Sequence, residues 1–251
     1  PTFSSSLLEQ SRLWLKRERR HHSHNSSTWG FLAQWKKDKK DLLSSLLQGS
    51  YEFSPMKVFV HRGALRSMWE ASDALVQKAL SLILEKKLPQ FTKKHCYHLK
   101  DNKGLKAAVR SAHNKAQEYK YVLKVDVNSY YQSLDHETLY QLCKKYCAEQ
   151  SVLKLLWRAI KRVDLNGGIY TECQQGIPTG SSLSNIFGAI YLSSVDKHFS
   201  QKKGVYYIRY MDDIIIMTNS SYQLRRSLKS IYALMSQLKI SIHRDNEKFY
   251  I

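Results

Sequence analysis

The segment VYYIRYMDDIIIMT, residues 205–218, decides the fold of this chain. Apolar and β-branched residues on either side of Met211-Asp212-Asp213 predict two strands that are joined by a tight turn. Two neighbouring carboxylates between apolar strands repel each other, and burying them costs free energy unless a cation compensates. Aspartate is also common at solvated hairpin tips, so the pair taken alone would fit that simpler interpretation.

A third carboxylate follows another apolar segment upstream. Residues 121–127, YVLKVDV, predict a buried strand that leads into Asp126. If this strand lies beside the hairpin in one sheet, the carboxylate of Asp126 meets those of Asp212 and Asp213. Oxygen ligands of this kind suit Mg²⁺, or Mn²⁺ in its place, and two ions about 4 Å apart are used for phosphoryl transfer. We therefore predict a two-ion metal site formed by Asp126, Val127, Asp212 and Asp213.

The order of the predicted elements indicates an α+β fold. Helices are expected between the strand at 121–127 and the hairpin, the last of them a single long helix over 182–199. A further helix follows from residue 222, and another strand starts at residues 240–242. Residues 166–168, NGG, predict a second hairpin turn. This order is typical of a split β-α-β unit around an antiparallel sheet.

The tetrapeptide YMDD at 210–213 resembles the Y-x-D-D motif of reverse transcriptases, with Arg209 before it and an apolar strand after it. Residues 126–134, DVNSYYQSL, resemble the first palm motif of the same family, in which an aromatic follows the aspartate by five positions. The resemblance implies that Tyr131 lies beneath the sugar of the incoming nucleotide, where its bulk excludes a 2′-hydroxyl. The alternative for Tyr131 is an ordinary aromatic of the core.

A glycine-bearing segment lies between these two motifs. Residues 175–185, QGIPTGSSLSN, resemble the family motif Q-G-x-x-x-S-P, whose turn and helix start hold template and nucleotide. The resemblance implies a nucleotide contact for Gln175. Gly180-Ser181 stands where the family usually has Ser-Pro, which leaves open how this turn holds the template. The alternative is an ordinary helix-capping loop.

Three basic residues are assigned to nucleotide chemistry by the same resemblance. Residues 238–248 resemble the next palm motif, and this implies that Lys248 protonates the departing pyrophosphate. Upstream, the segment 62–77 loosely resembles the fingers region that grips the triphosphate. Arg66 is the first candidate for that contact and Arg62 the second.

The chain is strongly basic, with a net charge of +19. Residues 84–124 hold eleven lysines and arginines against three acids, and a second basic run covers residues 12–40. Such blocks attract polyanions because binding releases condensed counterions, although a single lysine more often belongs to a solvated helix face. The predicted nucleic-acid contacts are Lys100, Lys103, Lys106 and Arg110, together with Tyr210 and Met211 of the Y-x-D-D motif.

Composition and patterning exclude several other classes of protein. A hydrophobic content of 43% is too high for a disordered tail. No apolar run reaches the roughly 18 residues of a membrane-spanning helix, and no secretion signal is recognised, so a cytoplasmic protein without membrane contact is expected. The four cysteines form no C-x-x-C pair and are expected as reduced thiols, and residues 95–98, HCYH, lack a second ligand pair for zinc.

The ordered motifs resemble those of prokaryotic reverse transcriptases, in the branch of retron, group II intron and defence-associated enzymes, and this resemblance implies a right-hand polymerase. The expected subdomains are a basic helical extension over 1–54, fingers over 55–120, and a palm over 121–251 with a helical fingers insertion around 136–175. The thumb is expected to be missing or reduced. The duplex would then be held by a further part of a longer chain, by another subunit or by structured RNA.

The predicted reaction is the RNA-directed addition of dNTPs to a primer, with Asp126, Asp212, Asp213 and Lys248 as catalytic residues. The expected partners are an RNA template, a DNA primer or product, and a structured noncoding RNA, and a protein partner or homo-oligomer stays open, as does a role in anti-phage defence. Two alternative functions remain. Tyr131 argues against an RNA-dependent RNA polymerase, and the intact aspartates argue against a non-catalytic, maturase-like RNA-binding module.

Overall fold

Helices alternate with two small sheets along the chain. The computed structural model describes residues 2–61, 63–242 and 248–250. Its helices are α1 (Ser5–Glu18), α2 (Ser27–Gln48), α3 (Ala71–Lys87), α4 (Gln90–His95), α5 (Gly104–Ala116), α6 (Tyr130–Ser133), α7 (His136–Tyr146), α8 (Gln150–Ile160), α9 (Ser182–Tyr191), α10 (Ser193–Ser200) and α11 (Ser221–Gln237). Its strands are β1 (Met56–His61), β2 (Ala64–Met68), β3 (Tyr121–Val125), β4 (Val163–Asn166), β5 (Ile169–Glu172), β6 (Val205–Tyr210), β7 (Asp213–Thr218) and β8 (Lys248–Tyr250).

The chain forms two compact units, and each combines two separate segments. Unit 1 contains Pro1–Lys87 and Tyr140–Ser184, and unit 2 contains Leu88–Leu139 and Asn185–Ile251. Each unit holds one of the two sheets. The subdomain boundaries expected from the sequence stay a prediction.

Unit 1 is built around a sheet with the strand order β2-β1-β4-β5. Strands β1 and β4 are parallel, whereas β1 with β2 and β4 with β5 form antiparallel pairs. The hairpin predicted at NGG is confirmed: Asn166 pairs with Ile169, and Gly167 and Gly168 between them both have positive φ angles. Helices α1, α2 and α8 pack against α3, and the apolar residues of α3 are almost entirely buried. The apolar sequence of α3 therefore supplies much of the core of this unit.

Unit 2 contains the antiparallel sheet, with the strand order β6-β7-β3-β8. Val125 pairs with Ile214 between β3 and β7, and Tyr210 pairs with Asp213 at the closed end of the β6/β7 hairpin. The inner positions Leu123, Val125 and Ile214 are fully buried. The prediction of an α+β fold with an antiparallel sheet is confirmed, and the sheet brings β3 and the YMDD hairpin side by side.

Two expectations about the elements were wrong. The single helix predicted over 182–199 is divided into α9 and α10 at Leu192, which leaves the helical conformation. The apolar pattern continues through the break, because both helices bury one face, so periodicity does not reveal it. Residues 240–242 were predicted to start a strand, but Ile242 makes one isolated bridge to Val127. The strand that pairs with β3 is β8.

The helices of the residues that the structure describes differ from membrane-spanning helices. No helix there combines the length and the apolar character that crossing a bilayer would require.

Candidate active site

The turn of the β6/β7 hairpin has an unusual backbone. Tyr210 and Asp213 form the last pair of the ladder, so Met211 and Asp212 make a two-residue turn. Met211 adopts a φ of 55°, in the left-handed region that side chains other than glycine rarely occupy. Such a conformation persists only where the surrounding structure holds it.

Asp126 and Asp212 emerge at the same end of the sheet in unit 2. Asp126 directly follows Val125, whose partner Ile214 lies two residues after Asp212. Burial raises the pKa of the Asp212 carboxyl, and the charges of Asp126 and Asp213 raise it further, whereas its own backbone N–H and Arg209 lower it. The two carboxylates predicted to meet therefore lie close enough to repel each other.

Asp213 has a different environment from its neighbour. Its side chain is 50% exposed, and a carboxylate oxygen accepts a bond of 2.9 Å from Lys124 Nζ on β3. Asp212 lies in the turn whereas Asp213 is the first residue of β7, beside β3, so the two adjacent aspartates have different surroundings. Lys124 was not predicted to take part in the site, because the sequence pattern showed only a polar position within an apolar strand.

The residues present fit a hard divalent cation at Asp126 and Asp212. A cation would offset the repulsion that raises the pKa of Asp212, and carboxylate oxygens are the ligands such ions prefer. Val127, the third predicted ligand, is buried, and its backbone is bridged to Ile242. Within the described ranges, no group of three or more His, Cys, Asp or Glu side chains is arranged to hold a metal. The candidate ligands are thus the carboxylate pair rather than a larger cluster.

Tyr131 lies near Asp212, whose charge acts on its hydroxyl. Burial raises its pKa to about 12, and the nearby charge of Asp212 is the next cause. Its hydroxyl is buried and makes no hydrogen bond to any residue that the structure describes. The neighbouring Tyr130, by contrast, donates a bond of 2.7 Å to the carbonyl of Gly188. An unsatisfied buried hydroxyl next to a carboxylate pair is a feature that a bound ligand could complete.

A buried ion pair lies beneath the turn. Arg209 Nε and Nη2 donate to the Asp196 carboxylate at 2.7 and 2.8 Å, and both side chains are fully buried. Arg209 Nη1 also donates to the Met211 carbonyl at 2.9 Å. Burial alone would lower the pKa of Arg209, but Asp196 raises it well above its usual value. Removing one partner of such a pair costs about 3–5 kcal/mol.

Asp196 was missed when the sequence was analysed. The sequence did contain a signal for Asp196, namely an acid within the apolar segment 182–199. A carboxylate that is buried in such a segment requires a basic partner. The segment 95–98 also supports the fold. His95 Nδ1 hydrogen-bonds to the Tyr207 carbonyl at 2.9 Å, and the side chain of Cys96 is buried. All four cysteines are free thiols.

Comparison with known proteins identifies the family. Residues 63–250 match the model of the family described as reverse transcriptase (RNA-dependent DNA polymerase). The chain belongs to the reverse transcriptase family. The resemblance carried by the YMDD and DVNSYYQSL motifs is confirmed.

Relatives and solved structures agree with this assignment. The chain is 22% identical to protein YkfC of Escherichia coli K12 over 64% of its own length and 45% of that protein. It is also 22% identical to the group II intron-encoded protein LtrA of Lactococcus lactis, over 65% of this chain and 28% of LtrA. The chain thus spans less than half the length of these relatives. An apo telomerase structure from Candida tropicalis shares the fold, with a TM-score of 0.60, 14% identity, and coverage of 86% of this chain and 48% of that one.

Several predicted nucleotide contacts of this reverse transcriptase family member lie in unit 1. Arg66 is exposed on β2, and Arg62 lies outside the described residues. Gln175 is exposed and directly precedes the buried Gly176. The approach of these side chains to Asp126 and Asp212 stays a prediction. Lys248 belongs to unit 2, where its backbone pairs with Lys124, and the role of its side chain also stays a prediction.

A basic edge of unit 2 surrounds the start of α5. Four exposed side chains form it, namely Lys100, Lys103, Lys106 and Arg110. Lys103 and Arg110 also line an open cavity of about 390 Å³, together with Tyr97, Asn102 and Ser111. Two of the four predicted nucleic-acid contacts, Lys103 and Arg110, therefore share one accessible cavity, and all four are exposed. The remaining predicted contacts, Tyr210 and Met211, lie in the hairpin itself.

Proposed function

We propose that this chain carries out the RNA-directed addition of deoxynucleotides to a primer 3′ end. The single observation that carries the proposal is the pairing of β3 with β7, which brings Asp126 and Asp212 to the same end of the antiparallel sheet, where the charge of Asp126 raises the pKa of Asp212. Membership of a family described as RNA-dependent DNA polymerases supports it. The net charge of +19 supports a polyanionic substrate.

Asp126 and Asp212 would hold two Mg²⁺ ions, with Mn²⁺ as a substitute. Bound ions of this kind lower the pKa of an attacking hydroxyl and neutralise the triphosphate. Asp213, which is paired with Lys124, adjusts the charge and position of the turn. Lys248 supplies a proton to the departing pyrophosphate in this proposal.

Tyr131 would select deoxynucleotides. Its position beside Asp212 and its buried hydroxyl without a partner in the described chain support contact with the sugar of the incoming nucleotide. Gln175, Arg66 and Arg62 would contribute the remaining nucleotide contacts. The exposed basic edge around the start of α5 would contact template or primer phosphates.

The proposed partners are an RNA template and a DNA primer or product. A structured noncoding RNA is a further proposed partner, which the basic composition and the intron-encoded relative LtrA support. A protein partner or homo-oligomer, a role in anti-phage defence and a cytoplasmic location stay predictions.

The decisive experiment replaces Asp212 by asparagine. We expect Asp212→Asn to abolish incorporation of dNTPs on an RNA template, because the amide cannot provide the charge that a divalent cation requires. The free energy of unfolding without metal should not fall, since the substitution removes repulsion from Asp126. Primer extension and chemical denaturation measure the two quantities.

Asp41→Asn provides the matched control, because Asp41 is an exposed aspartate on α2. It should leave extension unchanged. Continued polymerisation by Asp212→Asn would refute the proposed site. Preference for NTPs over dNTPs in the unsubstituted protein would favour an RNA polymerase. Absence of any Mg²⁺-dependent extension with bound RNA would favour a non-catalytic binding module.

A further inference from the structure

The YMDD turn, residues 210–213, is held by hydrogen bonds to both backbone groups of Met211, its N–H and its carbonyl. The carbonyl accepts the bond from Arg209 described above, and the backbone N–H donates to His98 Nδ1 at 3.0 Å. Met211 has a left-handed backbone that its own side chain disfavours. Contacts at both ends of the residue explain how this conformation is maintained one position before Asp212.

The second ring nitrogen of His98 extends this connection to α9. His98 Nε2 lies 3.1 Å from the Asn185 carbonyl, and a backbone carbonyl can only accept. Nε2 therefore carries the proton, and Nδ1 offers the lone pair that the Met211 N–H requires. A single tautomer of the neutral imidazole satisfies both bonds.

The surroundings of His98 favour that neutral form. Burial lowers its pKa to about 4, and the charge of Arg209 contributes in the same direction. Cys96 Sγ lies 3.2 Å from Nδ1, and the Tyr210 ring meets the imidazole edge to face with centroids 6.2 Å apart. The ring is therefore fixed on several sides as well as by its two hydrogen bonds.

We propose that His98 is a positioning residue whose Nδ1 holds the Met211 N–H and so fixes the placement of Asp212, whereas its bond to Asn185 sets the tautomer that makes Nδ1 an acceptor. This inference rests on the proposed polymerase function. Arg209 supports the turn from the core, whereas His98 links it to Asn185 at the surface of α9. Because displacement of a reacting group by about 1 Å can cost 10²-fold in rate, loss of the His98 bond to Met211 should reduce turnover rather than nucleotide affinity.

Two amide variants separate the two hydrogen bonds. In His98→Asn, the side-chain oxygen takes the place of Nδ1 and can accept from Met211. In His98→Gln, the terminal amide group takes the place of Nε2 and can donate to Asn185 but leaves Met211 without an acceptor. His98→Leu removes both bonds.

The first measurement is steady-state extension of a DNA primer on an RNA template, with kcat and KM for dNTP determined separately. We expect kcat of the Gln and Leu variants to fall by about 10- to 100-fold, with KM changed by less than about threefold, and His98→Asn to keep kcat within about threefold of the unsubstituted protein. Equal losses in Asn and Gln would overturn the proposal, as would an unchanged kcat in His98→Leu.

The second measurement does not depend on activity. Amide hydrogen exchange at Met211 should stay slow in His98→Asn and become fast in His98→Gln. Equal exchange in the two variants would overturn the positioning role. If the unsubstituted protein does not polymerise while the exchange rates differ as expected, the polymerase function fails and the connection through His98 stands.

Discussion

At the scale of single residues, Gly188 determines how much room the side chain of Tyr131 has. A β-carbon added at this position would lie 3.2 Å from Tyr130 Cε1 and 3.4 Å from Tyr131 Cε1 and its hydroxyl. Tyr130 is buried and bonded to the Gly188 carbonyl, so its ring has little freedom to move. A larger residue at 188 would therefore act mainly on Tyr131.

We predict that Gly188→Ala lowers kcat/KM for dNTPs by about tenfold through a shift of the Tyr131 ring. The free energy of unfolding should fall by at most about 2 kcal/mol, because the helix preference of alanine, about 1 kcal/mol, offsets part of an overpacking cost of about 1–3 kcal/mol. Gly30→Ala is the control: Gly30 lies in α2 with nothing within 4 Å of the added carbon. Identical kinetics for both variants would show that Gly188 does not control Tyr131.

The sequence names candidate chemistry-bearing residues but not the residues that support them. Asp126, Asp212 and Tyr131 could be named because short motifs carry them, and their roles stay a prediction. The ion pair of Asp196 with Arg209 could not be predicted, because the two residues lie on different elements, 13 positions apart in the sequence. The role of His98 was hidden for a related reason: hydrogen bonds to backbone groups such as Met211 N–H leave no pattern in side-chain identity.

At the scale of elements, one carboxylate connects the first two helices. Glu9 on α1 accepts bonds from Lys39 Nζ and Trp35 Nε1 on α2, each at 2.7 Å, and from Arg12 within α1. Lys39, then Trp35 and Arg12, lower the pKa of Glu9 to about 2. The ionised form thus stabilises the association of the two basic helices.

We predict that Glu9→Gln lowers the free energy of unfolding at pH 7 by roughly 0.5–1 kcal/mol, a small value because the pair is partly exposed and screened. A lowered pKa means that this stabilisation is present above the unfolded value near 4.5 and is lost as the pH falls toward 2. The difference in the free energy of unfolding should therefore stay constant from pH 7 to about 4.5 and disappear between about pH 4.5 and pH 2. Glu18→Gln, an exposed change on the same helix, should show no such trend, and a pH-independent difference would contradict the assignment.

Turns could be predicted from the sequence, whereas long-range strand pairing could not. The turn at NGG, residues 166–168, depends on local backbone preferences, which the sequence expresses directly. The turn at Met211-Asp212 could be placed because apolar strand patterns lie on both sides of it, although Met211 itself disfavours the backbone it adopts. The place of β8 beside β3 brings together residues more than 120 positions apart, including Lys124 and Lys248. Short strands with such distant partners carry little periodic signal.

At the scale of the whole molecule, the charge of +19 exceeds what solubility needs. Exposed basic residues occur in both units, on α1 and α2 in unit 1 and around the start of α5 in unit 2. An excess of this size favours contact with many phosphates along a nucleic acid. Association with primer and template should accordingly be governed by counterion release.

We predict that the affinity for an RNA–DNA primer–template falls by about 10³- to 10⁵-fold between 50 and 200 mM salt, as expected for six to ten phosphate contacts. Fluorescence anisotropy across that range gives the slope. Replacing Lys106 and Arg110 by glutamine should reduce the slope by about two. Lys145→Gln, an exposed change on α7, serves as the control, and a salt-independent affinity would contradict the expectation.

The buried pair of Arg209 and Asp196 has an evolutionary consequence. Because both side chains are fully enclosed and Arg209 also binds the backbone of the turn, the pair stabilises the fold whether or not the site is active. A descendant that abandoned polymerisation and lost its acidic ligands would still need the arginine and its counter-ion to stay folded. We therefore expect the Arg209–Asp196 ion pair to be retained in descendants that have lost the acidic ligands and acquired another function.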